Sequence, residues 1–322
     1  MVHLTRTLCA SLALGLMTAC VPETPIQTDI PEQVQDVGFD SATDVAIGDI
    51  NASVVDTMDG TWLHFSQMST CVRVGVQSFE LLSRTIYIVD VEQTDEQFGT
   101  LSESWTACDI ELTELLGLLP RVSDGLLEHG FPVVTERGQT NGTAIGSYYA
   151  SGPMSELWGL EMDDPTRDIF PDPDLCERVD DPEQVECSDD RIVDMDQDGL
   201  PGVTLQFNDV CQAYVVQRTT NHFSGPFVRP DRIEGNATGP FGGAAGQTLQ
   251  VIMDATESLC TTEYGSRSND AFSSFARQRI DGQGGALNLD ADGDGRIVCD
   301  EVMDAAPQLF SRRGQNNDHC ER

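Results

Sequence analysis

From Thr61 onward apolar side chains fall on nearly every second residue. The runs TWLHFSQM, CVRVGVQSFE and RTIYIVDVEQ follow one another, then GTAIGSYYA and SELWGLEM, and beyond residue 200 PGVTLQFN, CQAYVVQR, DRIEGNATG and QTLQVIMD. A period of two sends successive side chains to opposite faces, which a helix cannot do, so these runs predict antiparallel strands. Gly and Asn between the runs supply turns. Many short strands at this spacing predict a mainly β fold, an antiparallel sandwich or an up-and-down barrel, over residues 56–280. One segment, ELTELLGLLPRVSDGLLEHG (111–130), carries a helical pattern that Pro120 should interrupt. The 322 residues suffice for a sizeable core in one large domain or two smaller ones.

The composition narrows the partners. Acids outnumber bases 54 to 18, with no lysine, giving a formal charge of −36. Nucleic acid is excluded, because its phosphates need a basic face, and so is docking on anionic lipid through a basic patch. A different membrane link is written at the start. Arg6 precedes an apolar run, Leu8 to Met17, too short to span a bilayer, and LMTAC follows. LMTAC resembles the lipobox of bacterial lipoproteins. The resemblance implies a signal peptide over 1–19, cleavage before Cys20, lipid on Cys20, and an address at the outer membrane of a Gram-negative cell, periplasmic or surface-exposed. Residues 21–50 then hold three prolines, seven acids and no base. They cannot bury a core and read as an extended tether over 20–55.

Export changes the meaning of the cysteines. Cys9 leaves with the signal and Cys20 carries lipid, which leaves Cys71, Cys108, Cys176, Cys187, Cys211, Cys260, Cys299 and Cys320. An even number in an oxidising compartment predicts disulfides. No CxxC occurs, so a metal-thiolate site is disfavoured. Neighbours in sequence are the cheapest pairing, Cys176 with Cys187 first. That pair sits in an acidic excursion, residues 163–198, with fifteen acids against three arginines.

The most specific motif lies at the other end, in LDADGDGRIVCDEV (289–302). Counting from Asp290, carboxylates fall at positions 1, 3 and 5 (Asp290, Asp292, Asp294), and Gly295 occupies the sharp turn at 6. Arg296 would offer its carbonyl at 7, Ile297 is the apolar residue at 8, and Glu301 stands at 12. This resembles the EF-hand loop, which implies calcium held by Asp290, Asp292, Asp294, the Arg296 backbone and a bidentate Glu301. Two departures are plain. Val298 holds the usually polar ninth position, and RQRIDGQGGALN upstream is too glycine-rich for an incoming helix. Cys299 inside the loop is similar to small extracellular calcium modules where a disulfide replaces that helix. EVMDAAPQLF supplies a following helix, broken by Pro307, so residues 281–322 form an EF-hand-like loop–helix module. VDMDQDGLPGVTL repeats the front half, with Asp194, Asp196, Asp198 and Gly199 at positions 1, 3, 5 and 6, but Leu205 at 12. It reads equally as a second metal site closed by a remote acid or as a tight turn into a strand. DQDGLPGVTL with CQAYVVQR also resembles a pattern in myxobacterial-type lipoproteins, which brings no activity with it.

Catalysis is not indicated. His64, His129, His222 and His319 sit in no HExxH, and no GxSxG occurs. The glycine-rich stretches lack the lysine of a phosphate-binding loop. Tyr148, Tyr149 and Trp158 gather in YYASGPMSELWGLEM, where they serve as core or line a cavity. The expectation is a non-catalytic, lipid-anchored calcium-binding protein of the cell envelope, with a protein or glycan partner left unidentified. A lipocalin-like carrier and a carbohydrate-active hydrolase are the alternatives.

Overall fold

A computed structural model describes residues 57–74, 77–95, 99–115, 117–165, 168–171, 176–178, 185–208, 211–239, 248–254 and 265–320. The signal peptide, Cys20, the tether and Cys260 lie outside them, and so does the side chain of Cys211. All described residues belong to one compact unit, Asp49–Arg322.

The fold is mainly β. Three long strands open it: β1 (Gly60–Val74), β2 (Gln77–Asp95) and β3 (Thr100–Leu112). Short strands follow: β4 (Pro120–Val122), β5 (Val133–Thr135), β6 (Gly138–Thr140), β7 (Tyr148–Ala150) and β8 (Met154–Trp158). The acidic excursion contributes β9 (Cys176–Arg178) and β10 (Val185–Cys187), a separate two-stranded sheet. Then come β11 (Val203–Phe207), β12 (Cys211–Arg229), β13 (Arg232–Thr238), β14 (Thr248–Asp254), β15 (Gly265–Ser268) and β16 (Ser274–Arg279).

Eight of these strands close on themselves. Pairing runs β1-β2-β3-β6-β7-β12-β13-β16 and back to β1, antiparallel at every step and in chain order. The ring is the up-and-down barrel of the two architectures expected. Its wall is uneven. β1 and β2 match over fifteen residue pairs, whereas β3–β6 and β6–β7 match over two each and β7–β12 over three. Where β12 crosses β13, Gly225 and Gly235 allow the backbones to touch. A Cβ on Gly225 would stand 2.3 Å from the Glu234 carbonyl oxygen. β12 is long enough to serve two sheets: beyond the barrel its first half pairs with β8, β11 and β14.

The period of two now has a cause. On β1, Trp62 and His64 face the interior with Tyr87, Val89, Trp105, Tyr149, Phe223, Phe227 and Phe275. Leu63 and Phe65 face outward, yet they are buried too, because the C-terminal segment covers them with Val302, Ala306 and Phe310. Strands buried on both faces read as near-continuous apolar runs, and RTIYIVDV is one.

Three expectations are corrected. In 111–130 only the second half is helical, α1 (Asp124–His129), while residues 111–112 finish β3 and Pro120 opens β4. The strand hydrogen bonds of β2 and β11 claim the first half, and proline disfavours a helix in the residue before it. The helix after the loop is broken, but ahead of Pro307 and not by it. α2 (Cys299–Met303) stops by itself, and Pro307 stands at the start of α3 (Ala306–Leu309), where a missing N–H is harmless. Among the cysteines, Cys176–Cys187 forms as expected, its residues directly opposite in the β9–β10 ladder. The other two described disulfides do not join sequence neighbours. Cys71 joins Cys320 and Cys108 joins Cys299, across 249 and 191 residues. The C-terminal segment returns to the outer face of β1 and β3, and proximity there overrides proximity in sequence.

Candidate functional site

The Asp290 loop hangs from that returning segment. A 3-10 turn, Gln283–Gly285, leads into it, so no helix enters, as the glycines required. Backbone N–H groups then converge on the carboxylates. Gly293 donates to Asp290 Oδ1 at 2.8 Å and Gly295 to Asp290 Oδ2 at 3.0 Å. Asp294 donates to Asp292 Oδ1 at 3.0 Å, and Arg296 to Asp294 Oδ1 at 2.7 Å. Such bonds curl the chain tightly, which Gly293 (φ 76°) and Gly295 (φ 84°) permit by adopting left-handed backbone. One oxygen from each of Asp290, Asp292 and Asp294 lies within 4.8 Å of the others. A carboxylate oxygen that accepts one N–H keeps a second lone pair, so the bonds shape the loop without using up its ligands.

Glu301 folds back onto the loop. From the first turn of α2 its Oε1 accepts the Ala291 N–H at 2.7 Å and its Oε2 the Val298 N–H at 2.9 Å. The bonds from Val298 and Ala291 hold its carboxyl below the usual range. Position 12 is thereby folded back onto positions 2 and 9, and it caps the helix as it does so. Val298 serves position 9 through its backbone, so an apolar side chain is tolerated there. Arg296 keeps its side chain exposed, as a residue ligating through its carbonyl would. Ile297 packs with the cluster around Leu63, Phe65 and Ile88, and the Cys108–Cys299 disulfide ties the loop to β3. The loop is thereby packed on the barrel wall.

The Asp194 loop starts alike and finishes differently. Asp194 accepts N–H bonds from Asp198 at 3.1 Å and Gly199 at 2.9 Å. Asp196, Asp198 and Asp194 again bring oxygens within 4.8 Å, and among the described residues no fourth carboxylate joins either triad at that distance. The closing residue is Thr204, whose N–H donates to Asp196 Oδ2 at 2.9 Å and whose hydroxyl donates to Asp198. Leu205, at position 12, is buried with Leu126 and Trp158 in the core of the second sheet. Burial pushes the Asp196 carboxyl up.

Two buried polar clusters were not visible in the sequence. The first is a clasp for the C-terminus around Glu80 of β2. Its carboxylate accepts the two Arg313 Nη groups at 2.8 and 2.9 Å, the Asn316 N–H at 2.7 Å and the Ser69 hydroxyl, and His319 Nδ1 lies at 3.2 Å. Burial alone would raise this acid, but Arg313, Ser69, Asn316 and His319 outweigh it and bring it down to about 2. The second lies inside the barrel. Arg277 Nη1 donates to Glu103 at 2.6 Å, Tyr149 Oη donates to Glu103 at 3.0 Å, and Arg277 Nε donates to His64 Nδ1 at 3.4 Å. Nearby, Tyr87 Oη donates to Glu156 at 2.7 Å and Asn221 Nδ2 at 3.2 Å. There burial wins over both donors and pushes Glu156 up to about 6. Alternation in FARQRI, with Arg277 two residues after Phe275, was the one local signal for an inward arginine.

The aromatic trio expected to share a core or a cavity is split. Tyr149 faces the barrel interior, Trp158 lies in the second-sheet core, and Tyr148 is exposed. Among the histidines, His64 is wholly buried, His319 belongs to the clasp, and His129 ends α1. No protein-family model, curated protein or solved structure matches this chain.

Proposed function

We propose that the chain is an exported, lipid-anchored calcium-binding protein of the bacterial cell envelope. Its metal is structural and its role is binding or scaffolding without catalysis. The observation that carries the calcium reading is the aspartate triad: one oxygen from each of Asp290, Asp292 and Asp294 is gathered within 4.8 Å, in a loop that Glu301 holds shut through the Ala291 and Val298 N–H groups. Hard oxygen donors alone, with no thiolate or imidazole among them, suit calcium better than zinc or copper. A loop fixed to a barrel wall by a disulfide has little freedom to open, so occupancy acts on stability and not on a signalling switch. The Asp194 loop is a second candidate for the same ion, closed by Thr204 in place of a glutamate. LMTAC supports lipid attachment at Cys20, and the −36 charge agrees with an exterior role while opposing nucleic acid.

The test is calorimetric titration of calcium into the oxidised chain from residue 21, beside Asp290→Ala/Glu301→Gln, with thermal melts in calcium and in chelator. Heat that vanishes in the double variant, with a calcium-dependent melt in the parent, is expected. No heat and coincident melts would reduce the loop to an acidic turn. For the anchor, Cys20→Ser should move the protein from the membrane fraction to the soluble one and remove the mass of the acyl chains.

A further inference from the structure

The barrel interior contains hydrogen-bond donors that the calcium reading does not use. Register assembles them: His64 of β1 stands opposite Tyr87 of β2 on one side and Arg277 of β16 on the other. Because His64 Nδ1 accepts the Arg277 Nε–H, and burial with the Arg277 charge keeps the ring neutral, the imidazole proton sits on Nε2. That Nε2–H has no partner. The Trp105 ring lies 4.8 Å from the imidazole and 4.9 Å from the Arg277 guanidinium carbon, and its Nε1–H has no partner either. Arg277 uses Nη1 on Glu103 while Nη2 is unpartnered. All three side chains are more than nine-tenths buried and touch one another.

Each buried donor left unmade is costly, so three in one cluster would consume a large part of a domain's net stability. Every orphan among these three side chains is an N–H, and the orphan acceptor of the interior, Asn221 Oδ1, belongs to the neighbouring Glu156 group. A single water oxygen has two lone pairs and cannot receive three donors. A carboxylate offers about four sites and can. We propose that the barrel interior binds a small carboxylate-bearing molecule, its oxygens on His64 Nε2, Trp105 Nε1 and Arg277 Nη2 and its apolar part against Phe223 and Phe275. Both rings already flank the imidazole, with centroids at 4.5 and 5.3 Å. The way in is the thin part of the wall, where β6 and β7 are held by two-residue ladders. Short ladders open locally at small free energy, and Tyr149 of β7 hangs directly over Glu103 and Arg277.

The probe pair is benzoate and benzyl alcohol, which share a ring and differ in the carboxylate. The readout is the Trp105 indole ¹H–¹⁵N signal, assigned by its disappearance in Trp105→Phe. Benzoate should move that signal saturably and benzyl alcohol should not. His64→Phe, which keeps an aromatic ring and removes one donor, should weaken benzoate by about tenfold or more. An indole signal unmoved by benzoate and by acetate, with cross-relaxation to slowly exchanging water, would overturn the proposal, because several waters then satisfy the donors. Equal responses to benzoate and benzyl alcohol would overturn it too, in favour of simple filling of an apolar void. Should His64→Phe fail to fold, the two probes on the parent protein still decide.

Discussion

Glu80 and Glu156 are both buried carboxylates, yet they are driven in opposite directions, to about 2 and to about 6. The difference lies in their donors. Glu80 receives an arginine, a hydroxyl, a backbone N–H and a histidine, and Glu156 receives only a tyrosine hydroxyl and an amide. Desolvation acts on both, and the count and charge of the donors decide the sign. One acid therefore stabilises the fold by being ionised, and the other destabilises it in the same state. The first fastens the C-terminal segment that carries the Asp290 loop to the barrel, and the second lies inside the barrel beside donors with no acceptor.

The contrast can be broken at several strengths. The largest effect should come from the disulfide beside the clasp, since Cys71 is the ladder partner of Glu80. Opening Cys71–Cys320 by a double alanine substitution leaves Cys108–Cys299 closed, so the loop released runs only through residues 71–108 and 299–320, and it should cost about 4 kcal/mol by loop-entropy reasoning, read from urea midpoints. It should also move Glu80 upward, because Arg313 and His319 lose their fixed positions. Next is Glu80 itself. Its folded value is depressed, so its contribution is complete above pH 4.5 and is lost as pH falls toward 2. With solvent at Arg313 and His319 discounted, that contribution is about 3 kcal/mol. Glu80→Gln should lower stability by that amount at pH 7 and converge with the parent near pH 2.

Calcium comes third and tests whether the loop shares the hold of the clasp. At a hundredfold excess over the dissociation constant it should add about 2.7 kcal/mol, and Glu301→Gln should abolish that increment while also lowering the melt in chelator slightly, because the carboxylate that caps α2 is lost. The smallest effect has the opposite sign. Glu156 is raised, so its penalty is absent below pH 4.5 and complete above about 6. Glu156→Gln should stabilise the protein by about 2 kcal/mol at pH 7 and by nothing near pH 4. A destabilised variant at pH 7 would mean that the carboxylate charge, and not its shape, is needed inside the barrel.

What the sequence disclosed was local. The β1–β2 hairpin could be read because both partners lie within thirty-five residues and both carry the period of two. The Asp290 turn could be read because it fits into twelve consecutive residues: its three aspartates gather, and Glu301 folds back onto the Ala291 and Val298 N–H groups. The clasp could not be read, since Glu80 and Arg313 lie 233 residues apart and neither belongs to a motif. The same holds for Arg277 with Glu103 and for the nested disulfides. The helical pattern of 111–130 misled for a related reason: leucines spaced for a helix face were recruited by ladders whose other strands lie elsewhere in the chain.

The barrel seam between β1 and β16 joins residues near 64 to residues near 277, and this has a kinetic consequence. The first and longest hairpin can form early, but its free edge must wait for almost the last strand before the ring can shut. Topologies dominated by such distant pairings fold slowly, in milliseconds to seconds. Until then β1 presents an open edge able to pair with another chain. The Cys71–Cys320 bond forms only once the terminus has come home. Its oxidation state is therefore a chemical record of whether a given molecule has finished folding.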